Sequence, residues 1–438
     1  MKIAVVGGGL AGCSVAWRLR LQHDVVVYEP AGRAGGVVRS ERFEDFVFDC
    51  GPNGFLSNAP EIGQLVDEVG LRERCVPAAS AAKRYIYWDG RLHAVPSKPP
   101  QALATRLVSP LAKLSALRDV FARPQDTDPD ESVDAFFRRH FGEQVARRIV
   151  ATALLGITAG DSTQTSVGAL FPRLLELQRE HGSIVRAGMR ARRSPGTLTS
   201  FPAGMQSLSD ALMHGLGERL RTNTTVTSIA RDGAGWRVRS QGDGDERFDA
   251  LVLATPADVT AALLESVDGA LGDLLRGIEY VPMRVAGIAF ARADVPGDLD
   301  AFGFLAARGQ GVRILGALYT SSLFPSQAPP DVAYFRVFLG GAFDPQAATC
   351  DAETARAIVR EDLRRVLGIE AAPQSWHEVV WPRAIPQYAL GHAARVRAIE
   401  SRAQTLGAIG LTGNAYRGVG VADVVRDAFA VAGKVEVL

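Results

Sequence analysis

Gly7, Gly9 and Gly12 stand as GxGxxG between the apolar run Ile3 to Val6 and a helix-forming stretch that begins Leu10-Ala11 and runs to Leu21. The first glycine makes a tight turn, the second lets backbone approach a pyrophosphate, and the third lets a helix pack on a strand. With Gly8 between them, they would set phosphates over a helix N-terminus, where unpaired N–H groups and the positive dipole end attract anions. Val25 to Tyr28 reads as a second buried strand, and Glu29 closes it 22 residues after Gly7. A carboxylate there accepts hydrogen bonds from ribose hydroxyls and repels a 2′-phosphate. The chemistry is dinucleotide binding, and the elements that position it are a βαβ unit with a parallel sheet. Pro30 and the run Gly32-Arg33-Ala34-Gly35-Gly36-Val37 follow. Arg33 can neutralise the pyrophosphate while Gly35 and Gly36 let the chain pass close to the cofactor. A flexible surface turn with a solvated Arg is the plain alternative.

The rest of the composition narrows the field. The chain has 438 residues, 47% hydrophobic and 22% charged, enough apolar material for a large core and for about three domains. Its formal net charge is +1, so no broad electrostatic footprint for nucleic acid is expected. Cys13, Cys50, Cys75 and Cys350 are far apart and form no CxxC pair, and the seven histidines show no metal-ligand spacing. Disulfide, zinc and hydrolytic triad chemistry are therefore not expected, and a reducing cytoplasm fits. Met1 to Val6 leads straight into the glycines without room for a signal peptide. Charge-free stretches such as Ile149 to Gly160 are too short to span a bilayer, so membrane association would be peripheral.

Asn58 to Gly70 predicts a helix with Asn58 as N-cap, Pro60 early and Gly70 at its stop. From Pro96 to Arg193 the sequence is rich in Ala, Leu and Arg, has no convincing strand and is broken by Pro110, Pro124, Pro129 and Pro172, which predicts a helical insertion. Strands are expected at Thr224 to Ile229, Trp236 to Arg239, Ala250 to Ala254, Val285 to Phe290 and Tyr334 to Leu339. A last helix is expected to start near Asp423, since Asp is a favoured N-cap. The fold class is α/β: a Rossmann-type dinucleotide domain, a mixed α/β domain and the helical insertion. The arginines Arg186, Arg190, Arg192 and Arg193 read as a solvated basic loop. No second complete GxGxxG occurs, which argues against a separate nicotinamide domain.

The order of acid, Arg and Gly-Gly resembles the FAD-binding amine-oxidase-like flavoproteins, which implies FAD. In that family the backbone at Val226 of Thr224-Thr225-Val226 would bond adenine, and Leu253-Ala254-Thr255-Pro256 is similar to the strand end that returns to the cofactor. The run Gly413-Asn414-Ala415-Tyr416-Arg417-Gly418-Val419-Gly420-Val421 would bring backbone to the flavin and aim the following helix at its pyrimidine, stabilising the negative charge of the reduced ring. Gly51-Pro52-Asn53-Gly54-Phe55-Leu56, Ala384-Ile385-Pro386-Gln387-Tyr388-Ala389-Leu390-Gly391-His392 and the Gly413 to Val421 run together resemble the protoporphyrinogen oxidases almost end to end. Gly156 to Asp161 and Phe201 to Met205 fit as well.

The resemblance implies a discontinuous FAD-binding domain (1–80, 198–262 and 400–438), a substrate-binding domain (81–96, 168–197 and 263–399) and a helical, membrane-associating domain (97–167). Implied contacts to a porphyrinogen are Arg84 on a propionate, with Phe302, Leu305 and Phe338 against the macrocycle. Phe338 stands where some members have Met. The implied activity is oxidation of protoporphyrinogen IX to protoporphyrin IX by successive hydride transfers to FAD. Oxygen reoxidises the flavin and hydrogen peroxide is released. No residue stands out as a base. The implied setting is the cytoplasm, peripheral on the inner face of the cell membrane, with hand-over of product to a ferrochelatase left open. Alternatives are coproporphyrinogen III oxidation, an amine oxidase whose aromatic cage would need Tyr388 and Tyr416, and a non-catalytic carrier on the same fold.

Overall fold

The computed structural model describes residues 1–79, 83–97, 99–124, 128–190, 196–242 and 244–437. Arg192 and Arg193 of the basic run lie outside them.

The apolar run at the start forms Lys2–Val6, which the parallel strands Asp24–Tyr28 and Ala250–Leu253 flank on either side. Leu220–Arg221 and Ile409–Leu411 complete a five-stranded parallel sheet, ordered Leu220–Arg221, Asp24–Tyr28, Lys2–Val6, Ala250–Leu253, Ile409–Leu411. The central strands are continuous β-branched runs because both faces are covered. One face packs on the helices Leu10–Leu19, Gln206–Leu216 and Val421–Glu436 through Val15, Leu212 and Val425. The other carries Trp236, Val238 and Phe248 from a three-stranded antiparallel sheet of Val226–Asp232, Gly235–Ser240 and Gly244–Phe248. The first and last parts of the chain thus share one sheet and one core.

Several element boundaries differ from the sequence reading. The last helix begins at Val421 rather than Asp423, with Gly420 as N-cap and no side-chain cap bond. Asp423 instead lies in its first turn and pairs with Arg426. The helix after Asn58 is Pro60–Glu68, capped at Ala59. Asn58 leaves the cap because Pro60 itself takes the first helical position, where its missing N–H costs nothing. The first helix stops at Leu19, and the strand expected from Thr224 starts at Val226, since the Thr224 N–H is spent on the Glu29 carbonyl at 2.9 Å.

A second, seven-stranded sheet runs Ser375–Pro386, Tyr280–Ala291, Val332–Gly340, Gly316–Tyr319, Gly303–Ala306, Arg84–Trp88, Arg91–Ala94. Its pairs are antiparallel except Gly303–Ala306 with Arg84–Trp88. Phe335, Val337 and Leu339 point to one face and meet Val359 and Leu363 of the helix Ala352–Leu367. Tyr334, Arg336 and Phe338 alternate to the opposite face, which looks toward Phe46 and Phe48 of the hairpin Ser40–Phe43, Phe46–Asp49.

Between residues 99 and 190 the described chain is helical. Val133, Phe136, Val167 and Leu175 share a buried cluster, so helices on both sides of residue 167 pack together. Asp119 holds this region from inside: its carboxylate contacts His140 Nδ1 and accepts from Ser183 Oγ at 2.8 Å and the Val185 N–H at 2.9 Å. Among the described residues no helix is long and apolar enough to cross a membrane.

Candidate functional site

Every segment read as cofactor-binding around the glycine motif leaves the carboxyl edge of the parallel sheet, where ligands of open α/β sheets lie. A Cβ on Gly12 would overlap the Gly7 carbonyl, and one on Gly7 would come within 2.9 Å of Ala254 O and 3.2 Å of Thr255 Cγ2. These two glycines close the strand–helix junction against Ala254 and Thr255. Gly9 differs: a Cβ there would find nothing within 4 Å, so its backbone faces open space, as does that of Gly413. That is the cradle a pyrophosphate and a flat ring system require, crowded behind and open in front.

Glu29 is buried at the edge of this groove. Its two oxygens accept from the Gly8 N–H (2.8 Å) and the Ala31 N–H (2.9 Å). Burial pushes its carboxyl above the usual range, while those two N–H groups and Arg33 pull the other way. Arg33 reaches Gln206 Oε1 (3.1 Å) and the Ala34 carbonyl (3.3 Å), next to Gly35, whose N–H donates to the Gly8 carbonyl at 2.8 Å. Gly36 stands over the Gly9 Cα. Pro30 and Gly32 lie in the same turn, whose Ala31 carbonyl accepts from the Asn223 N–H at 3.0 Å. Val226 opens the edge strand of the three-stranded sheet on that side.

Gly51 touches this groove from the other side. A Cβ there would overlap the carbonyl of Val37, which brings two separately predicted cofactor segments into contact. Pro52 and Asn53 follow, half-buried, and Gly54 fits under the Thr199 carbonyl. The same segment is tied to the seven-stranded sheet. Arg336 Nη2 donates to the Gly51 carbonyl at 2.7 Å, and Trp381 Nε1 donates to the Cys50 carbonyl at 2.8 Å.

Of the predicted substrate residues, Arg84, Leu305 and Phe338 share one face of that sheet, and Phe302 stands just before the strand Gly303–Ala306. Leu305 pairs with Gly316 and Gly316 with Phe338, and the Leu305 side chain leans over Gly316, where a Cβ would lie 3.1 Å from its Cδ2. One step along, Arg84 pairs with Gly303, Gly303 with Leu318, and Leu318 with Arg336. The Arg84 guanidinium stacks 4.7 Å from the Phe302 ring centre. Gly156 of the helix Ala151–Thr158 presses on Leu305, and Leu155, Ala159, Val281, Met283 and Leu315 form the apolar cluster beside Phe338.

Sequence reasoning missed Arg336, which is 1% exposed. Among the described residues its Nε has no hydrogen-bond partner, and neither have Asp49 Oδ2 and the Tyr334 hydroxyl, also buried. Burial lowers the Arg336 pKa and raises that of Asp49, while the attraction between them opposes both shifts. A lone Arg inside Ala333 to Leu339 was the available signal.

Tyr388 and Tyr416 do not form an aromatic cage. Both are buried, and burial raises both phenol pKa values. The Tyr388 hydroxyl is committed to the Gly413 to Val421 loop, donating to the Asn414 carbonyl and accepting from the Gly418 N–H, each at 2.7 Å. Tyr416 packs under the parallel sheet with Leu411 and Leu253. The two rings an amine-oxidase cage would need are therefore spent on structure.

A parallel sheet with an open glycine cradle at its carboxyl edge, strapped to a second sheet with an apolar face, defines a dinucleotide-dependent oxidoreductase fold. The chain belongs to the flavin containing amine oxidoreductase family, which its sequence matches over residues 10–435, and its cofactor is FAD. It is 29% identical over 462 residues to the mitochondrial protoporphyrinogen oxidase of Nicotiana tabacum, covering 96% of this chain and 92% of the relative. It is 26% identical over 453 residues to the coproporphyrinogen III oxidase of Staphylococcus aureus, covering 97% and 96%. Solved structures that share its fold include these two. One is a protein of Exiguobacterium sp. 255-15 (TM-score 0.85, 22% identity, covering 100% of this chain and 98% of that one), the other a reduced UDP-galactopyranose mutase (TM-score 0.77, 16% identity, covering 100% and 94%).

Proposed function

We propose that this chain is a porphyrinogen oxidase that converts protoporphyrinogen IX to protoporphyrin IX. The observation that carries the reading is the apolar face around Leu305, Leu315 and Phe338, which ends in Arg84 on Phe302 and is strapped to the cofactor groove at Gly51. It offers a flat tetrapyrrole the half-buried Leu305 and Phe338 side chains to pack on and the exposed Arg84 cation for a propionate.

FAD bound in the cofactor groove would supply a two-electron acceptor for substrate hydride that oxygen can reoxidise, with hydrogen peroxide as the by-product. The chain's own residues hold and orient. Backbone of Gly7 to Gly12 and the helix N-terminus at Leu10 receive the pyrophosphate with help from Arg33, Glu29 takes the ribose, and Val226 the adenine. Gly35 to Val37, Gly51 to Gly54, Ala254 and Thr255 line the path of the cofactor, and Gly413 to Val421 close over its far end. No side chain acts as base: the bridge C–H bonds of a porphyrinogen are weakened by the flanking pyrroles, so placement and water exclusion suffice.

A second reading, coproporphyrinogen III oxidation, is favoured by one observation. The chain is 26% identical, over 97% of its length, to the coproporphyrinogen III oxidase of Staphylococcus aureus. Aerobic turnover of both porphyrinogens, followed by porphyrin fluorescence and peroxide release together, tests the reading. Porphyrin formed with matching peroxide from either substrate supports it; peroxide from polyamines and none from porphyrinogens overturns it.

The domain division suggested by the resemblance, with 97–167 as the helical part, goes with a peripheral lipid contact. Leu111, Leu114 and Leu117 recur at three-residue spacing on the helix Pro110–Leu117 and, with Phe121, are 53–82% exposed. Arg106, Arg118 and Arg123 are exposed beside them. Apolar side chains flanked by cations suit an anionic bilayer surface.

A further inference from the structure

The run Gln387 to His392 is the most distinctive string in the sequence, yet the proposed chemistry gives it no part. Its geometry does. The Tyr388 ring is 1% exposed, and its hydroxyl both donates to the Asn414 carbonyl and accepts from the Gly418 N–H. The hydroxyl therefore bridges two backbone groups four residues apart in the loop that leads into the helix Val421–Glu436. Gly413 and Gly418 have φ of +129° and +131°, a backbone freedom that lets the loop adopt several shapes unless something fixes one.

One fix is local. Asp427 of the following helix accepts from Thr412 Oγ1 (2.7 Å) and pairs with Arg417, which also pairs with Glu400. Asp427 grips the loop at Thr412 and Arg417, whereas Tyr388 ties Asn414 to Gly418.

Tyr388 is itself held from another quarter. Its carbonyl accepts from the Ser166 N–H (2.8 Å), the Leu390 N–H donates to the Gln164 carbonyl (2.9 Å), and the Gly391 N–H donates to Asp130 Oδ2 (2.5 Å). His392 stacks on the phenol at 4.1 Å between ring centres and 12° between planes. The phenol cannot slide without breaking this seat on the helical region.

We propose that Tyr388 is a positioning residue for FAD, its hydroxyl fixing the loop that sets the C-terminal helix N-terminus against the flavin and so the affinity and reduction potential of the bound cofactor. Losing the bridge leaves a part-buried N–H and carbonyl without this partner and lets the helix N-terminus shift away from the ring whose negative charge it stabilises.

The test uses purified full-length holoenzyme. Tyr388→Phe keeps the stacked ring and removes only the bridge. It is expected to weaken FAD binding on the order of tenfold, two ordinary hydrogen bonds' worth, and to lower the flavin midpoint potential, while KM for the organic substrate stays within twofold. Merely structural loosening would lower Tm without moving the potential of the flavin that remains bound. An FAD dissociation constant and a potential both unchanged in Tyr388→Phe overturn the inference. Should that variant not fold, Asp130→Ala, which frees the seat from the helical region, carries the test: weaker FAD binding and a lower potential support it, and wild-type values of both overturn it. The inference rests on the reading that Gly413 to Val421 hold the flavin, and Gly420→Leu examines that separately. If Gly420→Leu binds FAD like wild type, the loop reading fails whatever Tyr388 does; if Gly420→Leu loses FAD and Tyr388→Phe does not, only the role of Tyr388 fails.

Discussion

Arg84 and His392 show what single side chains contribute at opposite ends of the exposure scale. Arg84 is exposed, stacked on Phe302, and free to meet a carboxylate with its planar fork. Arg84→Ala should raise KM for a porphyrinogen about tenfold with kcat little changed, because an exposed charge-assisted pair binds substrate and transition state alike. Steady-state kinetics checks this, and an effect confined to kcat would contradict it. His392 is buried against Tyr388, and burial holds its pKa down to about 4 from the ordinary 6.5, with Arg395 adding to the shift and a bond to the Tyr416 backbone opposing it. Because the folded value lies below the unfolded one, the unfolded chain binds more protons between them. Its stabilising effect is complete above pH 6.5 and is lost as pH falls toward 4, of order 3 kcal/mol in all. The pH dependence of Tm should therefore be shallower between 6.5 and 4 in His392→Phe than in wild type; parallel profiles would refute this.

At the scale of elements, the pattern Ile3-Ala4-Val5-Val6, glycines, then Leu10 onward was readable because strand, turn and helix are local and each glycine has a steric reason to be there. Ends of elements were less readable. Asp423 looked like a cap, but the backbone of Gly420 does that work and the carboxylate pairs with Arg426 instead. Sequence gives Arg336 no role and Tyr388 only that of a cage ring, because their partners, Gly51 and Gly418, are brought to them only by packing of distant strands and loops. The helix Pro110–Leu117 makes a prediction of its own. Replacing Leu111, Leu114 and Leu117 with Ser should reduce co-sedimentation with anionic vesicles severalfold without changing turnover of dispersed substrate, since each exposed Leu contributes its transfer free energy only when a lipid phase is present. Equal sedimentation of variant and wild type would remove the lipid contact from the account.

Across the whole molecule, two sheets are joined by a few part-buried polar contacts beside the small apolar clusters of Phe46 and Phe48. Arg336 to the Gly51 carbonyl, Trp381 to the Cys50 carbonyl and His377 to Glu41 at 2.6 Å join the seven-stranded sheet to segments that reach the cofactor groove. Tyr388 does the same for the last loop. The apolar face and the cofactor edge are thereby held in one geometry, which is what hydride transfer between two bound molecules demands. The most direct measurement is the absorbance of the FAD-loaded enzyme, free of oxygen, mixed with protoporphyrinogen IX and, separately, with coproporphyrinogen III. The oxidised flavin band is expected to bleach as porphyrin fluorescence rises with at least one of them and to return when air is admitted. A band that persists with both would contradict this.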